Sequence, residues 1–195
     1  MTGRILFLIF TFFQINVLVG QDFDPAIDRT KMTIESIARD GYRTDFGFSA
    51  KKVEKGWWSF CREFGRPINM KGYYRVNIPS DVNSGTVSIN LLSITSATKT
   101  GSSFFLALDH EGVPQKKIAG YDRQVLDILQ KFKQSLYIND LNKTLENLEK
   151  QAARVSKKAH KGRGKSRERA IDELVDLEQK LKKTKNRIEL VYGAY

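Results

Sequence analysis

A single cysteine, Cys61, stands in a chain of 195 residues, so no intramolecular disulfide can form and the fold must be held by its core. The shortage also removes the mark of small extracellular modules that depend on several bridges. With no cysteine behind the apolar N-terminal run, lipid attachment of the bacterial lipoprotein kind is excluded. Cys61 itself reads as a small buried apolar residue rather than a nucleophile. Histidine is nearly as scarce: His110 and His160 are the only two and lie far apart. No Cys/His zinc spacing, no H-E-x-x-H, no G-x-S-x-G and no glycine-rich phosphate loop occurs. No pair of carboxylates is singled out for acid/base work on a glycoside. Without these patterns no cofactor and no metal is expected, and the chain reads as a non-enzymatic protein.

Long apolar runs are also missing. The best, Ile5–Phe13, is broken by Thr11, and a membrane span needs about 20 apolar residues. Behind Arg4, and followed by Gln14, Asn16 and a small-residue exit through Val17–Gly20, the run has the anatomy of a secretory signal peptide. Residues 1–21 are therefore expected to direct export, with cleavage near Gly20 or Gln21. The destination is periplasmic or extracellular, foremost a bacterial cell envelope. Residues 22–120 are expected to form an α+β domain, and 121–195 a helical region.

What the chain has in excess is positive charge, +11 in all. Such a balance favours solubility and attraction to anionic partners, and says nothing of fold. Outside the cytoplasm the partners would be anionic lipid, acidic polysaccharide or an acidic protein. Nucleic acid would be held by its backbone, without sequence specificity. A merely solvated basic surface is the plain alternative.

Along the chain, Asp24 and Pro25 resemble a helix start, and Ile27, Ile34, Ile37 and Ala38 recur on one helical face up to Gly41. A short amphipathic helix is expected there. Ala50–Phe64 admits two readings. Val53, Trp57, Phe60, Cys61 and Phe64 fit a helix that Gly65 and Pro67 stop, whereas Trp58, Phe60, Arg62 and Phe64 alternate as in a strand. The well-placed stop favours the helix, and either way Trp57, Phe60 and Phe64 belong to the core rather than to a ligand site. Tyr74, Val76 and Ile78, then Thr86–Ile94, then Phe104, Leu106 and Leu108 alternate as strands. Polar turns at Pro79–Gly85 and around Gly101 join them into an antiparallel meander, one face of which helices must cover.

From about Tyr121 the composition shifts to Lys, Glu and Leu. Val125, Leu129, Phe132 and Leu136 form a stripe expected to pack on the sheet, and Leu141, Leu145, Leu148, Ala152 and Val155 continue it after a slip near Asn139–Asp140. Gly162 and Gly164 break the helix. A second begins near Ser166 with Ile171, Leu174, Leu177, Leu181, Ile188 and Val191. Folded back at Arg163, the chain opposes Val155 to Ile171, Ala152 to Leu174, Leu145 to Leu181, Ile138 to Ile188 and Leu136 to Leu190, as an antiparallel helical hairpin requires. Glu146–Lys150, Asp176–Lys180 and Glu178–Lys182 add i,i+4 pairs of about 0.2–0.5 kcal/mol each. The fold class expected is thus α+β: a short antiparallel sheet covered by helices, followed by a coiled-coil-like hairpin.

The turn of that hairpin carries the charge. Arg154, Lys157, Lys158, Lys161, Arg163, Lys165, Arg167 and Arg169 crowd there with His160, and only Glu168 opposes them. Residues Lys157 to Arg169 of this set are the candidate site for an anionic partner. The tip has no aromatic residue, so base stacking is not suggested. A second, weaker candidate is Asp109-His110-Glu111 at a strand end; consecutive side chains diverge, so a charged turn is the ordinary explanation and metal the unusual one. With the aromatic cluster it motivates an alternative function, a hydrolase or small-ligand site beside the sheet. Asn142–Thr144 has the form of a glycosylation acceptor. A signal segment with a basic helical hairpin resembles periplasmic holdase chaperones, which grip clients between helical arms. The likeness covers only the last 75 residues, and those arms are inserted between strands rather than terminal, so no family is assigned.

Overall fold

The computed structural model describes residues 23–80, 87–111 and 113–195. The expected signal segment and most of the expected turn at 79–85 therefore lie outside the described residues. The elements run β1 (Asp28–Ile34), β2 (Ile37–Phe46), α1 (Ala50–Cys61), β3 (Arg66–Asn69), β4 (Tyr74–Ile78), β5 (Ile89–Ala97), β6 (Ser102–Asp109), α2 (Gln115–Lys161) and α3 (Lys165–Tyr192). The strands form one antiparallel sheet in the order β1-β2-β6-β5-β4-β3. The α+β class holds, with the two long C-terminal helices packed on each other.

The first element corrects the sequence reading. Ile27–Gly41 is a β-hairpin, not a helix, paired from Asp28↔Arg43 to Ile34↔Ile37. Glu35 and Ser36 both adopt positive φ, 52° and 64°, as a two-residue turn that matches strand twist demands. The β-branched Thr30, Thr33, Ile34 and Ile37 suit strands; their helical spacing is coincidental. Asp24 does accept a backbone hydrogen bond, from Ala26 N at 2.9 Å, but this closes a local turn and starts no helix. Gly41 is no helix stop either. It lies inside β2, where a Cβ would stand 2.4 Å from the Leu106 carbonyl oxygen.

Ala50–Cys61 is the helix expected, with Val53, Trp57 and Cys61 buried at every fourth position. Gly56 lets α2 approach, since a Cβ there would meet Leu136 Cδ1 at 2.6 Å. Phe60 and Phe64 are partly buried against the same core. The meander β4-β5-β6 is also as expected. Arg66–Asn69 was legible only as a helix stop, yet it forms an edge strand, a place where Pro67 is tolerated.

The two sheet faces differ. Phe104, Leu106, Leu108, Leu91, Val76 and Phe46 meet α1 and the Val125, Leu129 and Phe132 stripe of α2 in the main core. On the other face Leu92, Phe105, Ala107 and Tyr73 are covered by Ile34 from the β1–β2 turn. That turn is tied down by Glu35, which accepts from the Tyr73 hydroxyl at 2.5 Å and faces Arg75 at 3.7 Å.

Candidate functional site: a basic helical arm

α2 runs 47 residues because nothing between Gly120 and Gly162 breaks it: no proline and no glycine occurs there, and the sequence is rich in strong helix formers. The slip expected near Asn139–Asp140 does not interrupt it. The helix ends at Gly162, and Gly164 takes φ 54° with ψ −137°, a conformation open in practice to glycine alone. Two α3 amides, of Arg167 and Glu168, donate to the Gly164 carbonyl and start the return helix at Lys165.

The seam between the helices follows a heptad. Ala152, Val155, Leu148 and Ala159 of α2 pack with Ala170, Leu174 and Leu177 of α3. Nearer the body Leu141 is joined by Ile188 and Val191, with Thr184 buried between the two sets. Two of the expected oppositions fail. Ile171 is 44% and Leu190 72% exposed; Ala170 and Val191, one residue away from each, take the inward positions, and Leu136 packs on α1 instead. The seam near the tip is lined by the small residues Ala152, Ala159 and Ala170 together with Val155. Of the three expected i,i+4 pairs, Lys150–Glu146 at 2.5 Å and Lys180–Asp176 at 2.6 Å are present, and Lys131–Asp127 at 2.7 Å is added. Glu178–Lys182 is not formed.

Leu141 is the last α2 residue in the main core, so the remaining stretch to Lys161 projects about 30 Å at 1.5 Å per residue. At its end Lys157, Lys158, Lys161, Arg163, Lys165, Arg167 and Arg169 are all exposed. None of them forms an ion pair with any described residue, Glu168 included. All seven expected residues are thus brought to one tip of the packed hairpin, with no ion pair to any described residue.

The weaker candidates are committed elsewhere. Asp109 is buried and accepts from Arg39 Nη1 at 2.6 Å, while His110 and Glu111 are exposed. Among the described residues no group of three or more His, Cys, Asp or Glu is arranged to hold an ion. Cys61 is buried, its thiol donates to the Trp57 carbonyl at 2.6 Å, and burial pushes its pKa up to about 12. Trp57 is fully buried among Phe104, Phe132 and Phe60; Trp58 stands edge-on to Tyr74. Asn142 is exposed on α2, and the Thr144 hydroxyl donates to the Asp140 carbonyl at 3.1 Å.

Two features were not found from sequence. One is a groove of about 620 Å³ between α1 and α2, lined by Lys51, Lys52, Lys55, Phe60, Leu136, Asn139, Asp140 and Lys143 among others. Neither tryptophan lines it. The lysine cluster at the start of α1 was its only sequence signal. The other is Lys133, fully buried, which donates to Thr44 Oγ1 at 2.5 Å and to the Ala26 carbonyl at 3.2 Å. Burial brings its pKa down to about 8, and Asp24, Asp45 and Asp28 act in the opposite direction. No pattern marks Lys133, because the chain that covers it arrives from more than a hundred residues upstream.

No helix among the described residues is long and apolar enough to cross a membrane. Comparison with protein-family models, with curated proteins and with solved structures finds no match to this chain.

Proposed function

We propose that this is an exported, non-enzymatic interaction protein whose α+β body holds out a basic helical arm to an anionic partner in the cell envelope or outside the cell. The observation that carries this reading is the tip itself: seven exposed cations, unpaired among the described residues, gathered about 30 Å from the body by a packed helical hairpin. A surface kept basic only for solubility would not need a heptad seam to project it, or a turn built on a glycine that no other residue replaces. Export rests on the N-terminal segment of the sequence. Anionic lipid, acidic polysaccharide and acidic protein all offer the charge such a tip attracts.

The test is to replace Lys157, Lys158, Lys161, Arg163, Lys165 and Arg167 together by Gln and to measure co-sedimentation with anionic liposomes and retention on an immobilised acidic polysaccharide. Salt-sensitive binding is expected to disappear while the circular dichroism spectrum is unchanged. Unaltered retention would show that the tip is not the binding element.

A further inference from the structure

The face of α2 that lines the α1–α2 groove does not end with the groove. Leu136, Asn139 and Lys143 line it at the body. From Lys143 the same stripe continues outward as Asn147, Lys150, Arg154, Lys157 and Lys161, at steps of four, three, four, three and four residues, which keeps them on one side of the helix. All are exposed, and the seam facing α3 lies on the other side. α1 adds Lys51 and Lys55 at the groove, both exposed. Of the acids nearby, Asp140 is engaged by Lys52 and Glu146 by Lys150, while Glu63 also lines the groove, exposed and without an ion pair among the described residues, against the three unpaired lysines Lys51, Lys55 and Lys143. Lys51, Lys55, Lys143 and Arg154 have no acidic partner among the described residues. From Lys143 to Lys161 the track is about 27 Å long.

We infer that this track is the bed for a linear acidic polysaccharide, one end of which sits in the α1–α2 groove while the rest runs along the outer face of α2 to the tip. The inference rests on the proposed role of the tip and names its partner. A line of cations one helical turn apart fits a chain with repeating anions better than it fits a single charged group. Three further observations select among polyanions. No Phe, Tyr or Trp occurs between Ile138 and Val191, so the arm has no platform on which bases of a nucleic acid would stack. The track has no apolar residue from Lys143 outward, whereas a helix lying in a membrane surface needs an apolar face. The groove supplies what sugar hydroxyls require, Ser59, Ser135 and Asn139 beside the half-buried Phe60 ring.

The experiment titrates the protein with oligogalacturonates of increasing length at low salt. It compares the natural sequence with a groove variant (Lys51→Gln, Lys55→Gln, Lys143→Gln) and a tip variant (Lys161→Gln, Arg163→Gln, Lys165→Gln). All six positions are exposed, so both variants are expected to keep the natural circular dichroism spectrum. Affinity should rise with length until the oligomer spans groove to tip and then level off. Each variant should lose about tenfold or more on the spanning oligomer, as expected when three cations cease to release counterions. A groove variant indistinguishable from the natural protein, with the tip variant weakened, would overturn the track and leave the tip reading standing. A weakened groove variant with an unaffected tip variant would overturn the tip reading and with it a track that ends there. Tighter binding of single- or double-stranded DNA of the same length would overturn the assignment to a sugar chain.

Discussion

Lys133 shows how one side chain ties the N-terminal segment to the core. Its ammonium lies among Thr44 Oγ1, the Ala26 carbonyl and the rings of Phe23 and Phe46, with Asp24, Asp28 and Asp45 acting from farther off. Its pKa is about 8 in the folded chain, against about 10.4 for an ordinary lysine. Between those values the unfolded chain binds the extra proton, so stability rises with pH across that window and is lost as pH falls through 8. Lys133→Met should remove this rise. Melting curves from pH 7 to 9.5 should show the natural protein gaining on the variant as pH increases; parallel curves would mean that Lys133 is not desolvated. Gly41 makes the opposite kind of point. Its missing side chain leaves space for the Leu106 carbonyl and the Phe105 ring, so Gly41→Ala should cost about 1–3 kcal/mol in a denaturant titration, the usual penalty of overpacking.

Among the elements, the hairpin and the meander were legible in the sequence because periodicity reports a buried face directly. Leu148, Ala152 and Val155 on one helix, and Leu174 and Leu177 on the other, repeat every three or four residues and do form the seam; Phe104, Leu106 and Leu108 alternate and do face the helices. Ile27–Gly41 was misread because four apolar residues can match a helical face by chance, while the decisive signal, two positive-φ residues in a tight turn, was Glu35-Ser36 rather than the familiar Asn-Gly. The groove was not legible because its two walls, Ser49–Glu63 and Phe132–Lys143, lie far apart in the sequence and come together only in the fold, where Gly56 admits Leu136, Trp57 and Phe60 meet Phe132, and Lys52 pairs with Asp140. The seam makes its own prediction. Leu177→Ala should cost about 2–5 kcal/mol if the cavity stays open, and the Leu148→Ala, Leu177→Ala pair should be non-additive in a double-mutant cycle. Neutralising Arg163 and Lys165, exposed and unpaired, should change stability by less than about 0.5 kcal/mol each. Additive leucine losses would mean that the two helices are not held by this seam.

Taken whole, the molecule separates what keeps it folded from what it offers to others. The sheet, α1 and the first turns of α2 and last turns of α3 share one core, while the arm has its own small cluster, Val155, Ala170 and Leu177 with their neighbours. Charge is distributed the same way: the basic cluster from Arg154 to Arg169 lies where it contributes least to packing. That separation makes the central claim, that the tip cations bind an anionic partner, directly measurable. The measurement is the slope of log K against log salt for binding to an acidic polysaccharide, for the natural protein and for the protein with Lys157, Lys158, Lys161, Arg163, Lys165 and Arg167 replaced by Gln. The natural protein should show a steep negative slope, and the variant weaker binding at every salt concentration with a shallow slope, since the slope counts the cations engaged. Equal slopes and equal affinities for the two proteins would contradict the claim.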